Sequence, residues 1–185
     1  MNGQSSTEDK PPTEELLWKV FDNVNRWLDF AEKKNGVILF GWGLIGVLFS
    51  EKLRDRLGFT CLVQCLSSAA VIIFFVAWLY ALFSFLPRTK IDYALVLLGN
   101  ESKKPNPPGD NLLFFGDIAK YDRDSYLAAL QDEYGTKSRS DRTAGDLCSQ
   151  AIQNANIALR KYRCFTRAMV LTALAAGLLV VSVFI

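Results

Sequence analysis

The chain has 185 residues, half of them hydrophobic, and a net charge of only +2. That length has room for one domain, but the apolar residues are gathered into blocks instead of being scattered as a soluble core requires, and no nucleic-acid partner is expected. Histidine is absent altogether, which removes the commonest metal ligand and the commonest general base near neutral pH.

Residues 1–12 are polar, include Pro11-Pro12 and are expected to be disordered. Thr13 suits an N-cap, with Glu14 and Glu15 placing negative charge at the positive end of a helix dipole. Over residues 13–34, Leu16, Leu17, Val20, Phe21, Val24, Trp27, Leu28 and Ala31 fall at helical spacing in one stripe, while Lys19, Asp22, Asn25, Arg26 and Asp29 face away. Both charge signs occur on the polar face, which favours packing against protein over lying on a membrane.

The uncharged segment Gly36–Ser50 is short for a span, but Trp27, Leu28, Phe30 and Ala31 extend its apolar face and the stems of Glu32, Lys33 and Lys34 can snorkel. Residues 35–50 are therefore expected to form the first transmembrane helix, retained because no cleavable signal precedes it. Glu51–Gly58 is a short charged hairpin connection. Residues 59–86 carry no formal charge and are the expected second span.

Residues 87–163 form a polar domain. Asp92–Gly99 reads equally as a short strand or a buried helical turn, and Gly99–Asn111, rich in proline, as a loop. Asn111–Lys120 sets four large apolar residues against a glycine and two charges. Tyr126, Leu127, Leu130 and Tyr134 mark a helix capped by Asp122 or Asp124. From about Asp141, the pattern Ala144, Leu147, Cys148, Ala151, Ile152, Ala155, Leu159 and Tyr162 runs without proline into the last apolar block. One long helix is expected there, about 65 Å if unbroken, with residues 164–185 as the third span. The fold class is thus a mainly all-α integral membrane protein, with three transmembrane helices and a small cytoplasmic helical domain between spans two and three. Lys10, Lys19, Arg26, Lys33 and Lys34 precede span one and Arg88, Lys90, Arg160, Lys161, Arg163 and Arg167 flank the polar domain, against Lys52, Arg54 and Arg56 in the hairpin connection, so the positive-inside bias places the N-terminus and residues 87–163 in the cytoplasm and the hairpin connection and C-terminus outside.

Cys61, Cys65, Cys148 and Cys164 form neither a metal-type cluster nor a disulfide framework. Walker, serine-elbow and Rossmann motifs are absent. Cys61 with Cys65, and Ala173 with Gly177, have the spacing that permits close helix contact in membranes.

Three pieces, taken together, resemble the transmembrane effector family of bacterial Pycsar (pyrimidine cyclase) antiphage systems. They are Leu28–Leu39 entering span one, Asn111–Ala119 (Asn-Leu-Leu-Phe-Phe-Gly-Asp-Ile-Ala) followed by Tyr126-Leu127, and Gln150–Tyr162 before the last span. The resemblance implies an inner-membrane effector, not an enzyme, activated by a cyclic pyrimidine mononucleotide (cyclic CMP or cyclic UMP) from a partner cyclase. It implies that the active protein impairs the membrane and aborts infection. The expected partners are the bilayer, the nucleotide and further copies of the chain, and no cofactor is expected. The competing reading is a constitutive scaffold that positions a cytoplasmic partner through residues 87–163.

A cyclic mononucleotide presents a singly charged phosphodiester, a π-face and a ribose hydroxyl. Phe114, Phe115, Gly116, Asp117, Lys120 and Tyr126 supply matching groups within a short stretch: Gly116 for close backbone approach, Lys120 for the phosphate, Asp117 for the hydroxyl. Aromatic pairs such as Phe114 and Phe115 are more often core, and a structural role is equally open for Lys120. Lys161, within Arg160–Arg163, is either an interfacial anchor or a phosphate contact.

Overall fold

The computed structural model describes residues 13–55, 61–85, 105–106, 109–135 and 142–184. Among them the chain is helical, without a strand: α1 (Thr13–Asp55), α2 (Cys61–Phe83), α3 (Phe115–Ile118), α4 (Arg123–Tyr134) and α5 (Arg142–Phe184). The expected disorder of residues 1–12, the capping side chain of Thr13 and the undecided segment Asp92–Gly99 lie outside the described residues.

Local chemistry accounts for the helix limits. α1 has Glu14 and Glu15 in its first turn, and the pairs Lys19 Nζ–Glu15 Oε1 (2.7 Å) and Lys33 Nζ–Asp29 Oδ2 (2.6 Å) each put the acid one turn before the base, the favourable order on a helix surface. It does not end at residue 34 or at residue 50. No proline falls inside it, so the helix continues to Asp55, through much of the stretch read as a connection. Of the two capping candidates for α4, Asp122 is the cap: its carboxylate accepts from Ser125 N (2.9 Å) while Ser125 Oγ accepts from Asp122 N (3.2 Å). α4 stops at Gly135, whose φ of 61° lies in the left-handed region that a side chain disfavours. α5 is unbroken from Arg142 to Phe184, as the absence of proline predicts.

The chain divides into two compact units. The first joins Met1–Leu28 to Gly99–Leu159, and the second joins Asp29–Leu98 to Arg160–Ile185. In the first unit, Leu17, Val20 and Val24 of α1 are buried together with Leu112, Phe115, Ile118, Tyr126 and Leu130 and with Ala144, Leu147, Cys148, Ala151, Ala155 and Ala158 of α5. The middle of the predicted α1 stripe therefore packs against protein. Asn154 Nδ2 of α5 donates to Asn25 Oδ1 of α1 at 2.8 Å, a sequence offset of 129.

The second unit buries Ala31 and Ile38 of α1, Val63, Ala70, Ala77 and Ala81 of α2, and Cys164, Ala168 and Ala175 of α5. Buried positions recur every seven residues as Val63, Ala70, Ala77, Ser84 and as Lys161, Ala168, Ala175, Ser182. Small side chains on these seams let the backbones approach. The pairs singled out for close contact, Cys61 with Cys65 and Ala173 with Gly177, are exposed instead. Lys161 Nζ donates to Glu32 Oε1 at 2.7 Å, again at an offset of 129.

Opposite the seams, Leu62, Ile72 and Phe75 of α2 and Val170, Leu174 and Val180 of α5 are exposed. Among the described residues, α2 and the later part of α5 are long and apolar enough to cross a membrane. A helix of comparable length in a soluble core would bury such side chains. The first expected span falls within α1, where side chains 42 and 44–55 are outside the described residues.

Leu17 is fully buried and its neighbour Trp18 is 46% exposed. Leu17→Ala is expected to destabilise the first unit by about 2–5 kcal/mol, while Trp18→Ala costs much less. Thermal unfolding of the full chain in detergent checks the contrast; equal losses would contradict this packing.

Candidate functional site

The stretch from Asn106 to Tyr126 is folded by its own polar groups. Asp110 N and Gly109 N both donate to Asn106 O (3.2 and 2.8 Å), and Asp110 Oδ2 accepts from Asn106 N at 2.7 Å, closing a turn. Asn111 Oδ1 then accepts from Leu113 N (3.0 Å) and Asn111 O from Phe114 N (3.0 Å), which directs the chain into the single turn of α3. Asn23 Nδ2 of α1 holds this turn through Leu113 O at 2.9 Å.

The two phenylalanines part company here. Phe115 turns inward and is 5% exposed, whereas Phe114 lies across Gly116 and is 40% exposed. A Cβ on Gly116 would stand 2.5 Å from Phe114 Cε1, so the glycine makes room for that ring. Trp27 of α1, 37% exposed, sits 6.5 Å from Phe114 and 5.6 Å from Phe115 between ring centroids. Phe114 and Trp27 thus present aromatic surface to solvent, chemistry suited to stacking a flat base.

The same stretch holds an ionic cluster. Lys120 Nζ contacts Asp110 Oδ1 at 2.6 Å and Asp117 Oδ1 at 2.5 Å; Tyr121 OH donates to Asp110 Oδ2 at 3.1 Å, and Asn111 N to Asp117 Oδ2 at 3.0 Å. The Asp110 side chain is only 5% exposed. The bond from Lys120 and that from the Asn106 amide hold the Asp110 carboxyl below the usual carboxylate range. Lys120 is pushed up by Asp110 and then Asp117. Burial, followed by the neighbouring Asp110, raises the Tyr121 phenol to about 12.

One ammonium therefore faces two carboxylates, and a phosphate approaching Lys120 must compete with Asp110 and Asp117. Tyr126 is fully buried, and its OH donates to Leu112 O at 2.5 Å, with its ionisation pushed far up by burial. Lys161 belongs to the second unit, where it is 7% exposed and paired with Glu32. The structure thus brings together Phe114, Phe115 and Gly116, pairs Asp117 with Lys120, and sets Tyr126 in the core.

Sequence reading missed Asp110, Tyr121 and Trp27 as members of this neighbourhood. Asp110 directly precedes Asn111, the first residue of the family-like piece, and Trp27 directly precedes Leu28, the first residue of another; both adjacencies were available as signals. Among the described residues, no group of three or more His, Cys, Asp or Glu side chains is arranged to hold a metal ion.

A sequence model described as the Pycsar effector protein domain matches residues 16–185, a range that takes in both units. The chain is 27% identical over 151 residues to the Pycsar effector protein PtPycTM of Propioniciclava tarda, a match covering 78% of this chain and 66%, just under two thirds, of that protein. No solved structure matches.

The ion cluster sets a pH dependence. The lowered Asp110 stabilises the fold above 3.8, the value of an ordinary aspartate, and this contribution is lost as pH falls through its lowered folded value. The raised Lys120 and Tyr121 contribute fully below 10.5 and 10.0, and these contributions are lost as pH rises through their higher folded values. Stability of the first unit should hold level between those limits and fall at each end. Asp110→Asn should cost about 1.5–3 kcal/mol at neutral pH and flatten the acid limb, read as thermal stability against pH.

Proposed function

The chain belongs to the Pycsar effector family, and from that premise we propose that it is a membrane effector of antiphage defence, activated by a cyclic pyrimidine mononucleotide made by a partner cyclase. The match over residues 16–185 carries this reading, because one family domain takes in both the unit with the exposed aromatic face and the unit with the apolar helices.

In this reading the second unit spans the bacterial inner membrane. Span one lies in α1 over residues 35–50, span two over 59–86 and span three over 164–185. The hairpin connection and C-terminus face outward, while the N-terminus and residues 87–163 are cytoplasmic. The exposed, apolar outer faces of α2 and α5 support contact with lipid. The nucleotide binds the first unit: its base stacks on Phe114 and Trp27, its phosphate draws on Lys120, and Asp117 accepts from the ribose hydroxyl. Phe115, Gly116 and Tyr126 shape that site from behind. Lys161, in the second unit and paired with Glu32, takes the interfacial-anchor role of the two open to it.

An effector that damages its own cell must rest in a silent state. Moving such an equilibrium from 1:99 to 99:1 takes about 5.5 kcal/mol of differential affinity, more than one exposed ion pair supplies. Binding shared among several contacts, or among copies of a homo-oligomer, meets that demand. α5 is shared by both units and is the natural carrier of the signal. The active assembly then breaches the membrane and ends the infection with the death of the host cell.

Reconstituted in dye-loaded liposomes, the protein should release dye with cyclic CMP or cyclic UMP and stay tight without them. Gly116→Ala displaces the half-exposed ring of Phe114, so it should weaken nucleotide binding by about tenfold, about 1.4 kcal/mol, with little change in thermal stability. A flexible Gly-Ser insertion after Tyr162 should preserve binding and abolish release. Equal leakage with and without nucleotide would refute the gating, and a protein that neither binds nor leaks would favour the scaffold reading.

A further inference from the structure

At one end of the apolar seam in the second unit, the inward-facing positions turn polar. Asn35 of α1 is 0% exposed, Ser84, which directly follows α2, 1%, and Lys161 of α5 7%. All three lie beyond the same end of that seam. Asn35 lies one turn before Ile38, Ser84 one turn after Ala81 and Lys161 two turns before Ala168, and Ile38, Ala81 and Ala168 belong to one packed apolar cluster. Lys161 Nζ donates to Glu32 Oε1 at 2.7 Å, one helical turn before Asn35, and lies 5.5 Å from the ring centroid of Phe85, the neighbour of Ser84.

Two atoms in this layer lack a hydrogen-bond partner among the described residues. Asn35 Nδ2 donates to Ala31 O at 3.0 Å, but Asn35 Oδ1 and Ser84 Oγ are buried without a hydrogen bond. Buried polar groups are nearly always satisfied, because an orphaned one forfeits its hydration with nothing in return. The identities of the orphans narrow the occupant. Asn35 Oδ1 demands a donor, Ser84 Oγ can donate or accept, and the Lys161 ammonium has more N–H groups than one carboxylate uses. A second cation is opposed by Lys161, and an anion by Asn35 Oδ1 and Glu32. A small neutral molecule that both donates and accepts fits all of them. Glu32, whose side chain is 50% exposed, gives the layer an opening to solvent.

We propose that Asn35, Ser84 and the Lys161–Glu32 pair form a water-binding site within the helix bundle of the second unit, fed from the Glu32 side. The site is polar where the adjoining turns of the bundle are not, so water stands at the head of the Ala70, Ala77 and Ala81 seam before any opening occurs. This inference rests on the reading that the second unit spans a membrane, and its test separates the two.

The test places single cysteines in the full-length protein with its four native cysteines replaced by alanine, reconstituted in liposomes, and measures labelling by a small water-soluble methanethiosulfonate. Ser84→Cys probes the polar layer, Ala77→Cys the apolar seam, and Ile72→Cys the exposed outer face of α2. The expected result is labelling of Ser84→Cys at least tenfold faster than either other position, falling by a similar factor when Asn35→Leu is added. Labelling of Ser84→Cys as slow as Ala77→Cys, with Ile72→Cys protected, overturns the water site and leaves the membrane reading standing. Rapid labelling of Ile72→Cys overturns both. If Ser84→Cys fails to insert, native Cys164, buried three residues after Lys161, carries the same measurement in the protein with Cys61, Cys65 and Cys148 replaced by alanine, with rapid labelling supporting the site and protection overturning it.

Discussion

The constraint on which the second unit depends is the seven-residue recurrence of its buried positions. It selects a narrow strip of each helix to face its neighbours, whatever residue falls there. Where that residue is alanine, as at Ala70, Ala77, Ala168 and Ala175, the backbones come close and dispersion between them supplies the cohesion. Where it is Lys161, the same geometry draws a charge inward, and Glu32 must meet it because an uncompensated buried ammonium is far more costly than a paired one. The rest of each helix surface is left free to be bulky and apolar. Lys34 shows how the margin is handled: its ammonium lies 4.4 Å from the Phe30 ring centroid and within 6 Å of those of Phe165 and Tyr162, so charge is carried by aromatic faces where carboxylates are few.

The first unit is held on different terms. Its core mixes aromatic and aliphatic chains around Tyr126, whose hydroxyl ties the Leu112 carbonyl down below α3. Above that anchor, Asp110, Asp117 and Lys120 fasten both ends of the segment around α3, and Asn23 clamps it to α1. The exposed rings of Phe114 and Trp27 are therefore mounted on a braced surface. An aromatic platform fixed in this way loses little conformational entropy when something flat settles on it.

Much of this arrangement was legible from residue order. Charge-free blocks disclosed the apolar helices, the stripe containing Leu17, Val20 and Val24 disclosed the face that packs, and the want of proline disclosed the continuity of α5. Other features depend on rotation and contact, which periodicity does not specify. Small residues four apart singled out Cys61 with Cys65 and Ala173 with Gly177, yet the helices are turned so that other alanines meet. Lys120 reads as an available cation along the chain, and only the folded turn at Asn106 brings Asp110 back to occupy it. Gly116 reads as an opening for a ligand, whereas in the fold its missing side chain is taken up by the ring of Phe114.

The equal offset of the Asn25–Asn154 and Glu32–Lys161 contacts has a bearing on how the protein is made. Each unit has a contact that joins α1 to α5 across 129 positions of sequence. While the ribosome has produced only α1 and α2, Glu32 has no lysine to meet and the stripe of Leu17 and Val24 has no second wall. Neither unit can mature by itself and wait for the other. Both become complete only once residues 154–161 have been made, so a nascent chain that stalls before residue 154 exposes apolar and unpaired polar surfaces in both regions.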